Sequence, residues 1–445
     1  MDKRELPNLE NLKLAIIGLG YVGLPLAVAF AKDFNKEKNS SSIIGFDKSK
    51  NRIDQLLNGH DATGEILQNE INELKNITFT TDENDLLEVD IFIISVPTPV
   101  DESNKPDLKT LKKATQTIAN VIKSAIPFKK RKVVVFESTV YPGATEEVCQ
   151  PIIENISTLK LNKEFSIGYS PERVNPGDQK HKLENIVKIV SASDNETLEL
   201  LANLYSKVAK IGVHKAKNIK IAEAAKVVEN IQRDLNIALV NEFSMIFHKM
   251  NIDTVDVLKA AATKWNFLNY QPGLVGGHCI GVDPYYLTYK SEVNGYHPEV
   301  ILAGRRINDN MAIWLATSAM KKFLFLNNGF PGQIKAVIFG ITYKSNCPDI
   351  RNTKVMDIYR TLLEFGCSVD ICDPVPDKEM VKNKYNIELQ NGLNLANNYN
   401  LIFIAVAHNE FKKKDPSYWR SIASENYLII DIKNIIPEDK DIMKI

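Results

Sequence analysis

The chain has 445 residues, 44% hydrophobic and 25% charged, a composition that predicts a soluble globular protein of two or three domains. Its 55 basic and 55 acidic residues balance to a formal net charge of zero, so no overall field favours nucleic acid or an anionic membrane. No apolar run is long enough to span a bilayer, and the N-terminal residues lack a signal-type apolar core; five cysteines without CxxC pairing fit a reducing cytoplasm better than disulfides or a metal site.

In chain order, residues 13–18 read as a buried parallel strand, and Gly18-Leu19-Gly20-Tyr21-Val22-Gly23 follows at once. An apolar helical pattern then runs from Leu24 to about Asp33. Strand, Gly-x-Gly-x-x-Gly and helix form the context of a dinucleotide fingerprint. Gly18 allows the tight turn, Gly20 lets backbone approach a pyrophosphate, and Gly23 lets the helix pack against the strand with its N-terminus aimed at the phosphates. The next strand, residues 43–46, ends in Asp47, whose carboxylate would accept the ribose hydroxyls of NAD and repel the 2′-phosphate of NADP. Asp47 lies farther from Gly18 than the usual roughly 20 residues, and the polar run at 36–42 accounts for the difference as a lengthened loop.

Two further apolar strands, 89–95 and 132–136, end at Thr98 and Thr139. Ligands of doubly wound sheets sit at the carboxyl ends of strands, so both hydroxyls are candidates for the cofactor edge. Capping of the next helices explains them equally well. Residues 219–250 form a helical pattern without Pro or Gly, roughly 45 Å long at 1.5 Å per residue. Such a helix suits a spine between domains and a dimer interface. Lys226, Asn230 and Arg233 share one of its faces. A solvated face is the usual reading of such residues, but the surrounding Ala, Val, Ile and Leu point to a cleft.

The segment from Gly273 to Pro284, GLVGGHCIGVDP, places Cys279 in a glycine-rich turn, with His278 before it and Asp283 after it. Glycine admits backbone angles other residues resist, so such a loop can approach a ligand closely, and a cysteine there suits a nucleophile. A surface turn with an incidental thiol is the alternative. A second α/β unit begins near Pro331-Gly332. Residues 334–340, 367–374 and 401–406 echo the first three strands, with Gly340-Ile341-Thr342-Tyr343-Lys344 in place of the fingerprint. The expected divisions are 1–212, an NAD-binding Rossmann domain; 213–330, a helical domain with the cysteine loop; and 331–445, a second doubly wound α/β domain.

Six motifs in this order, GLGYVGLPLA, ESTVYPG, YSPERVNPGD, EAAKVVEN, GGHCIGVDPYYLT and TYKSNCPDIRNTKV, make the chain resemble the UDP-glucose/GDP-mannose dehydrogenase family from end to end. Within it the sequence is most similar to the branch that oxidises UDP-GlcNAc or UDP-GalNAc at C6 for bacterial surface polysaccharide. The resemblance implies a four-electron oxidation with two NAD molecules and a homodimer or higher homo-oligomer. It makes Cys279 the nucleophile that holds the aldehyde, Lys226 and Asn230 the groups that stabilise the oxyanion, and Asp283 the residue that orients water and Lys226. Glu172 becomes a general base for thioester hydrolysis, and Thr139 holds water beside the nicotinamide. Tyr21, Val22, Asp47, Arg52, Thr98 and Arg351 would surround NAD. Arg173, Val174, Arg233, Gly276, His278, Tyr343 and Lys344, with Lys226 and Asn230, would contact the UDP-sugar.

Two departures stand out: Gln271 replaces an arginine common before the glycine loop, and Lys433 replaces the arginine of an Asp-x-Arg pair. Open alternatives are UDP-glucose, UDP-ManNAc or GDP-mannose as substrate, a two-electron β-hydroxyacid dehydrogenase, and a non-catalytic nucleotide-sugar binder.

Overall fold

The computed structural model describes residues 3–36, 41–172, 183–277, 279–329, 332–390, 392, 395, 398–437 and 442–445. The chain divides into two compact units, Met1–Glu229 with Tyr285–Tyr296, and Asn230–Pro284 with His297–Ile445.

The first unit is built on β1 (Lys13–Ile17), β2 (Ser42–Phe46), β3 (Ile77–Thr80), β4 (Ile91–Ile94), β5 (Lys132–Phe136), β6 (Phe165–Tyr169), β7 (Lys188–Ala192) and β8 (Val213–Lys215). They form one sheet in the order β3-β2-β1-β4-β5-β6-β7-β8. Neighbours are parallel except that β7 runs antiparallel to β6. β4 and β5 are buried at every residue, as strands of a sheet covered on both faces must be, and therefore read as unbroken apolar runs. Leu14, Ile16, Phe30, Phe34, Val133 and Leu204 belong to the core beneath them.

The second unit holds β9 (Lys335–Phe339), β10 (Ser368–Cys372), β11 (Tyr399–Ile404), β12 (Ala423–Asp431) and β13 (Ile442–Lys444), all parallel, in the order β10-β9-β11-β12-β13. The helix Glu299–Leu326 buries Met311, Leu315, Ala319 and Phe323 in the same core as Ile338, Leu401 and Ile430. β11 stops at Ile404, two residues short of the expected strand. The N–H groups of Ala405 and Val406 both turn onto the Phe339 carbonyl, at 3.0 and 3.2 Å, which ends the ladder.

Both sheets use the same device after their first strand. Asp47, following β2, accepts the Leu19 N–H at 2.9 Å and so fixes the glycine turn after β1. Asp373, following β10, accepts the Ile341 and Thr342 N–H groups at 2.6 and 3.2 Å, while its other oxygen accepts Val375 N–H at 2.9 Å. Asp373 is buried and also faces His408 Nε2 at 3.2 Å. Nδ1 of His408 accepts the Asn346 N–H at 2.9 Å, so the ring's proton sits on Nε2.

The helix Ile219–Met250 has the length its pattern predicts. The Asn218 side chain caps its start by accepting the Ile221 N–H at 2.9 Å, and Asn251, at φ +55°, ends it in the left-handed conformation. Among the described residues no helix is long and apolar enough to cross a membrane.

Replacing Asp373 by alanine strips three N–H groups of their acceptor, two of them buried. A loss of about 3 kcal/mol or more is expected, read as a lower urea midpoint for the C-terminal unit; an unmoved midpoint would show the turn is held by other contacts.

Candidate active site

The glycine turn is shaped by close approach. Gly18 sits at φ +92°, and a Cβ on Gly23 would stand 1.9 Å from the Gly18 carbonyl oxygen, so neither position tolerates a side chain. A Cβ on Gly20 would meet nothing within 4 Å. The crest of the turn is therefore open on the side from which a phosphate would approach the first N–H groups of the helix Gly23–Lys36. Tyr21 and Val22 are half-buried beside it. Asp47 keeps partial exposure while its Oδ1 accepts Ser49 N–H at 2.9 Å. These residues fit a dinucleotide, with the glycines admitting pyrophosphate and Asp47 placed for a ribose. Arg52 braces the turn from below, donating from Nε to the Leu19 carbonyl at 2.8 Å and pairing with buried Asp61 at 2.7 Å. Burial pushes the Asp61 carboxyl up, but Arg52, Thr63 and nearby N–H groups outweigh it and hold it below its ordinary value.

The strand-end threonines do not cap helices. Thr98 donates to the Thr139 carbonyl at 2.7 Å, and Ser138 donates to the Val96 carbonyl at 2.6 Å, which stitches the ends of β4 and β5 together. Tyr286 donates to the Thr98 carbonyl at 2.6 Å. The carboxylate of Glu223 accepts the N–H groups of Gly143 and Thr145, at 2.5 and 2.9 Å, and so ties the 137–145 loop to the long helix. Burial pushes that carboxyl up to about 7, against the lowering effect of its hydrogen bonds. Lys226, one turn further along, is 7% exposed, and Asn230 is 3% exposed, so this face is a buried one. Arg233 is half-buried. Glu172 is buried and pairs with Lys188 at 2.9 Å.

In the second unit Asn230 donates to Asp283 at 2.5 Å, both buried. The cysteine loop is held at both ends. Asn241 accepts the Gly273 N–H at 2.8 Å and donates to the Gly273 carbonyl at 3.0 Å. Its amide also donates to Asn308, which donates in turn to Asp234, itself paired with Arg305 at 2.7 Å. At the far end the Cys279 carbonyl accepts the Val282 and Asp283 N–H groups at 3.0 and 2.8 Å. Between them, a Cβ on Gly276 would stand 2.7 Å from the Asn352 carbonyl oxygen, and one on Gly277 would stand 2.8 Å from the Tyr343 ring. Glycine is required there because the loop lies flat on the 342–353 segment. Asn352 fastens it by donating to the Gly277 carbonyl at 3.2 Å. Burial pushes the Tyr343 phenol well above its ordinary value, which keeps it neutral.

Cys279 is partly exposed, whereas Cys149, Cys347, Cys367 and Cys372 are buried, and none is in a disulfide. Burial pushes the Cys149 and Cys372 thiols up to about 12 and Cys367 up to about 11. Beside the loop a cavity of about 200 Å³ is lined by Leu274, Gly276, Thr342, Tyr343, Lys344, Ser345, Thr353, Lys354 and Lys433, among others. The Arg351 guanidinium forks onto Asp349, with contacts of 2.6 to 3.1 Å. Arg173, Val174 and His278 lie outside the described residues, as do Pro331 and residues 37–40 of the lengthened loop.

The structure thus brings Asn230 to Asp283, Thr98 to Thr139, and Gly276 to Tyr343 and Lys344. Asn241, Glu223 and Lys188 escaped the reading of the sequence. A signal existed in each case: a polar or charged residue at a position where an apolar helix or strand buries its side chains.

Family models match three successive parts of the chain: the NAD binding domain of the UDP-glucose/GDP-mannose dehydrogenase family at residues 12–209, its central domain at 220–310, and its UDP binding domain at 337–438. The chain is 47% identical to UDP-N-acetyl-D-glucosamine 6-dehydrogenase of Pseudomonas aeruginosa, over 98% of this chain and 100% of that one. It is 49% identical to Protein CapL of Staphylococcus aureus, over 97% of each. Among solved structures, UDP-D-ManNAc dehydrogenase from Pyrococcus horikoshii superposes with a TM-score of 0.85 at 29% identity, covering 97% of this chain and 98% of that one.

Two outcomes are expected. Asn241→Ala leaves both backbone groups of Gly273 without their partner and lowers stability by about 3 kcal/mol, measured by urea denaturation; a change below about 1 kcal/mol would show the loop end is held without it. For Glu223 the folded carboxyl titrates at about 7 against 4.5 ordinarily, so the folded chain binds the extra proton between those values. Its stabilising contribution is complete below the lower value and is lost as pH rises through the upper one. Glu223→Gln should flatten the fall in unfolding free energy between pH 5 and 7, by on the order of 3 kcal/mol. Parallel wild-type and variant curves would remove the assignment.

Proposed function

This chain belongs to the UDP-glucose/GDP-mannose dehydrogenase family, and from that premise we propose that it oxidises the C6 hydroxyl of a UDP-N-acetylhexosamine to the carboxylate. UDP-N-acetylglucosamine or its C4 epimer is the substrate, and surface polysaccharide is the destination. The higher identity to a relative named for UDP-N-acetylglucosamine than to one named for UDP-ManNAc supports that choice over the mannosamine sugar. Bound NAD supplies the hydride acceptor in each of two oxidations, so one alcohol and one water become one carboxylate with two NADH and three protons.

The observation that carries the four-electron route is the exposure of one thiol among five, on a glycine loop pressed against Tyr343. Cys279 adds through sulfur to the carbonyl carbon of the aldehyde and keeps it bound as a thiohemiacetal; after the second hydride leaves, the carbon is a thioester. Lys226 offers its ammonium to the oxygen at C6 as negative charge grows there, and Asn230 adds an N–H donor. Asp283, which fixes the Asn230 amide, orients that donor. Glu172 takes a proton from the water that attacks the thioester, with Thr139 positioning that water. Gly18, Gly20, Tyr21, Val22, Gly23, Asp47, Arg52, Thr98 and Arg351 serve NAD. Arg173, Val174, Arg233, Gly276, His278, Tyr343 and Lys344 serve the UDP-sugar. The exposed Val228, Leu239, Ile246 and Met250 of the long helix support a homodimer or higher homo-oligomer. The absence of a membrane-crossing helix among the described residues is compatible with work in the cytoplasm.

The decisive measurement is stoichiometry: two NADH should form per acid, and one would establish a two-electron dehydrogenase instead. Cys279→Ala should lower acid formation on the order of 10³-fold or more while NAD still binds. Initial rates with UDP-GlcNAc, UDP-GalNAc, UDP-ManNAc and UDP-glucose side by side test the sugar. A preference for either of the last two would overturn the assignment.

A further inference from the structure

Lys188 is a lysine with no exposure at all, the first residue of β7. Because β7 runs antiparallel to β6, pairing Tyr169 with Ser191 and Gly168 with Ala192, its first residue lies at the carboxyl ends of β5 and β6. That edge is where a doubly wound sheet binds its ligands. There the ammonium is shared by two carboxylates, Glu172 at 2.9 Å and Glu137 at 3.1 Å. Glu137 follows β5 and also accepts the buried Tyr205 hydroxyl at 2.5 Å. Ser170 and Ser191 secure the strand edges through the Ile189 and Tyr169 carbonyls, at 2.7 and 2.9 Å. Among the described residues, the titratable groups joined to Glu172 in this cluster include Lys188 and, through it, Glu137 and Tyr205.

A buried ammonium with one carboxylate is neutral. With two carboxylates the cluster carries one negative charge in excess, and desolvation makes that excess costly. Burial accordingly pushes the Glu137 carboxyl up, with the neighbouring Glu172 adding to the shift and Lys188 opposing it. Burial alone would lower the Lys188 ammonium, but the two carboxylates outweigh it and raise it, so the lysine stays charged. Tyr205 is pushed well up by burial and by Glu137, and is a neutral donor. Such a cluster readily takes up one proton.

We infer that Lys188 is a positioning residue for the hydrolytic half of the reaction: its ammonium holds the Glu172 carboxylate ionised with one oxygen fixed, while Glu137 competes for that ammonium and keeps Glu172 basic. This rests on the proposed role of Glu172. In the step served, the water oxygen bonds to the thioester carbon as a water proton passes to Glu172. The tetrahedral centre then collapses, the C–S bond breaks, and its electron pair leaves on the Cys279 sulfur. The acid gives its proton to the Cys279 thiolate and departs as carboxylate, and Glu172 returns the proton it took to solvent.

The test uses the full chain with NAD and UDP-N-acetylglucosamine, following NADH formation by stopped flow and the acyl adduct on Cys279 by intact-mass spectrometry. Lys188→Met should slow hydrolysis on the order of 10²-fold or more, far more than it slows the first turnover of NADH, so that acyl-enzyme accumulates. It should also move the acidic limb of the kcat profile to higher pH, and Lys188→Arg should recover part of the rate. Glu137→Gln should move that limb the opposite way, by about one pH unit or more, with KM little changed. A packing role alone would not give shifts of opposite sign. Should Lys188→Met fail to fold, the Glu137→Gln profile decides, and an unmoved limb overturns the inference. Glu172→Gln separates the two claims. If it hydrolyses the adduct at the wild-type rate, the general-base role of Glu172 is lost. If it is slow while the Lys188 and Glu137 variants keep the wild-type profile, only the role of Lys188 is lost.

Discussion

The clamp of Asn241 on Gly273 is the constraint on which the cysteine loop depends. Fixing the backbone of a residue costs about 1–2 kcal/mol, and more for glycine, whereas a hydrogen bond contributes about 1 kcal/mol net. Hydrogen bonds alone therefore do not order a stretch as glycine-rich as residues 273–281. The deficit is met by burial of Val275 and Val282, at 4% and 5% exposure, and by laying Gly276 and Gly277 flat against Asn352 and Tyr343. The glycines that make the loop expensive to order are also what permit the contact that orders it.

The same economy of residues is visible in the two aspartates that follow the second strand of each sheet. Asp47 and Asp373 both accept backbone N–H groups from the turn after the neighbouring strand. They differ in what else surrounds them. Asp373 is buried against His408 and its oxygens are occupied by protein donors, so it works as a turn clamp. Asp47 stays partly exposed, with the open side of Gly20 nearby in the turn it fixes. One topology therefore yields a partly exposed carboxylate in one unit and a buried structural one in the other.

Much of this fold was legible because it is written in local periodicity. The fingerprint at 18–23, the fully apolar strands and the uninterrupted helix at 219–250 each carry their signal within a short window. What the sequence hid are pairings between distant positions. Nothing near Lys188 announces Glu137, and nothing near Asn241 announces Gly273. A lone Lys in a strand or a lone Asn in an apolar helix identifies a buried polar group without naming its partner. Expectations for Thr98 and Thr139 stayed divided between cofactor and cap because both readings use the same hydroxyl; the cap is removed because the next helices start at Lys109 and Thr145 and the Thr98 hydroxyl is spent on the Thr139 carbonyl.

Electrostatics brings these pieces together. A chain with no net charge must place its cations locally to hold a diphosphate, and the cavity beside the cysteine loop is lined by Lys344, Lys354 and Lys433. Lys354 divides its ammonium between Asp309 and Asp357, at 3.0 and 3.3 Å, so it brings no surplus positive charge to that side of the cavity. Lys433 offers a point charge where an arginine would offer a two-pronged fork. Under the proposed function, geometric selection of the diphosphate then falls to directional neutral donors, the hydroxyls of Ser345 and Thr353 and the backbone around Gly276. Thr342, held by His408 and by the Asp373 clamp on its N–H, donates its own hydroxyl proton to the Lys344 carbonyl at 2.9 Å. The buried turn clamp of the second sheet thereby fixes the backbone of Lys344, which lines the cavity.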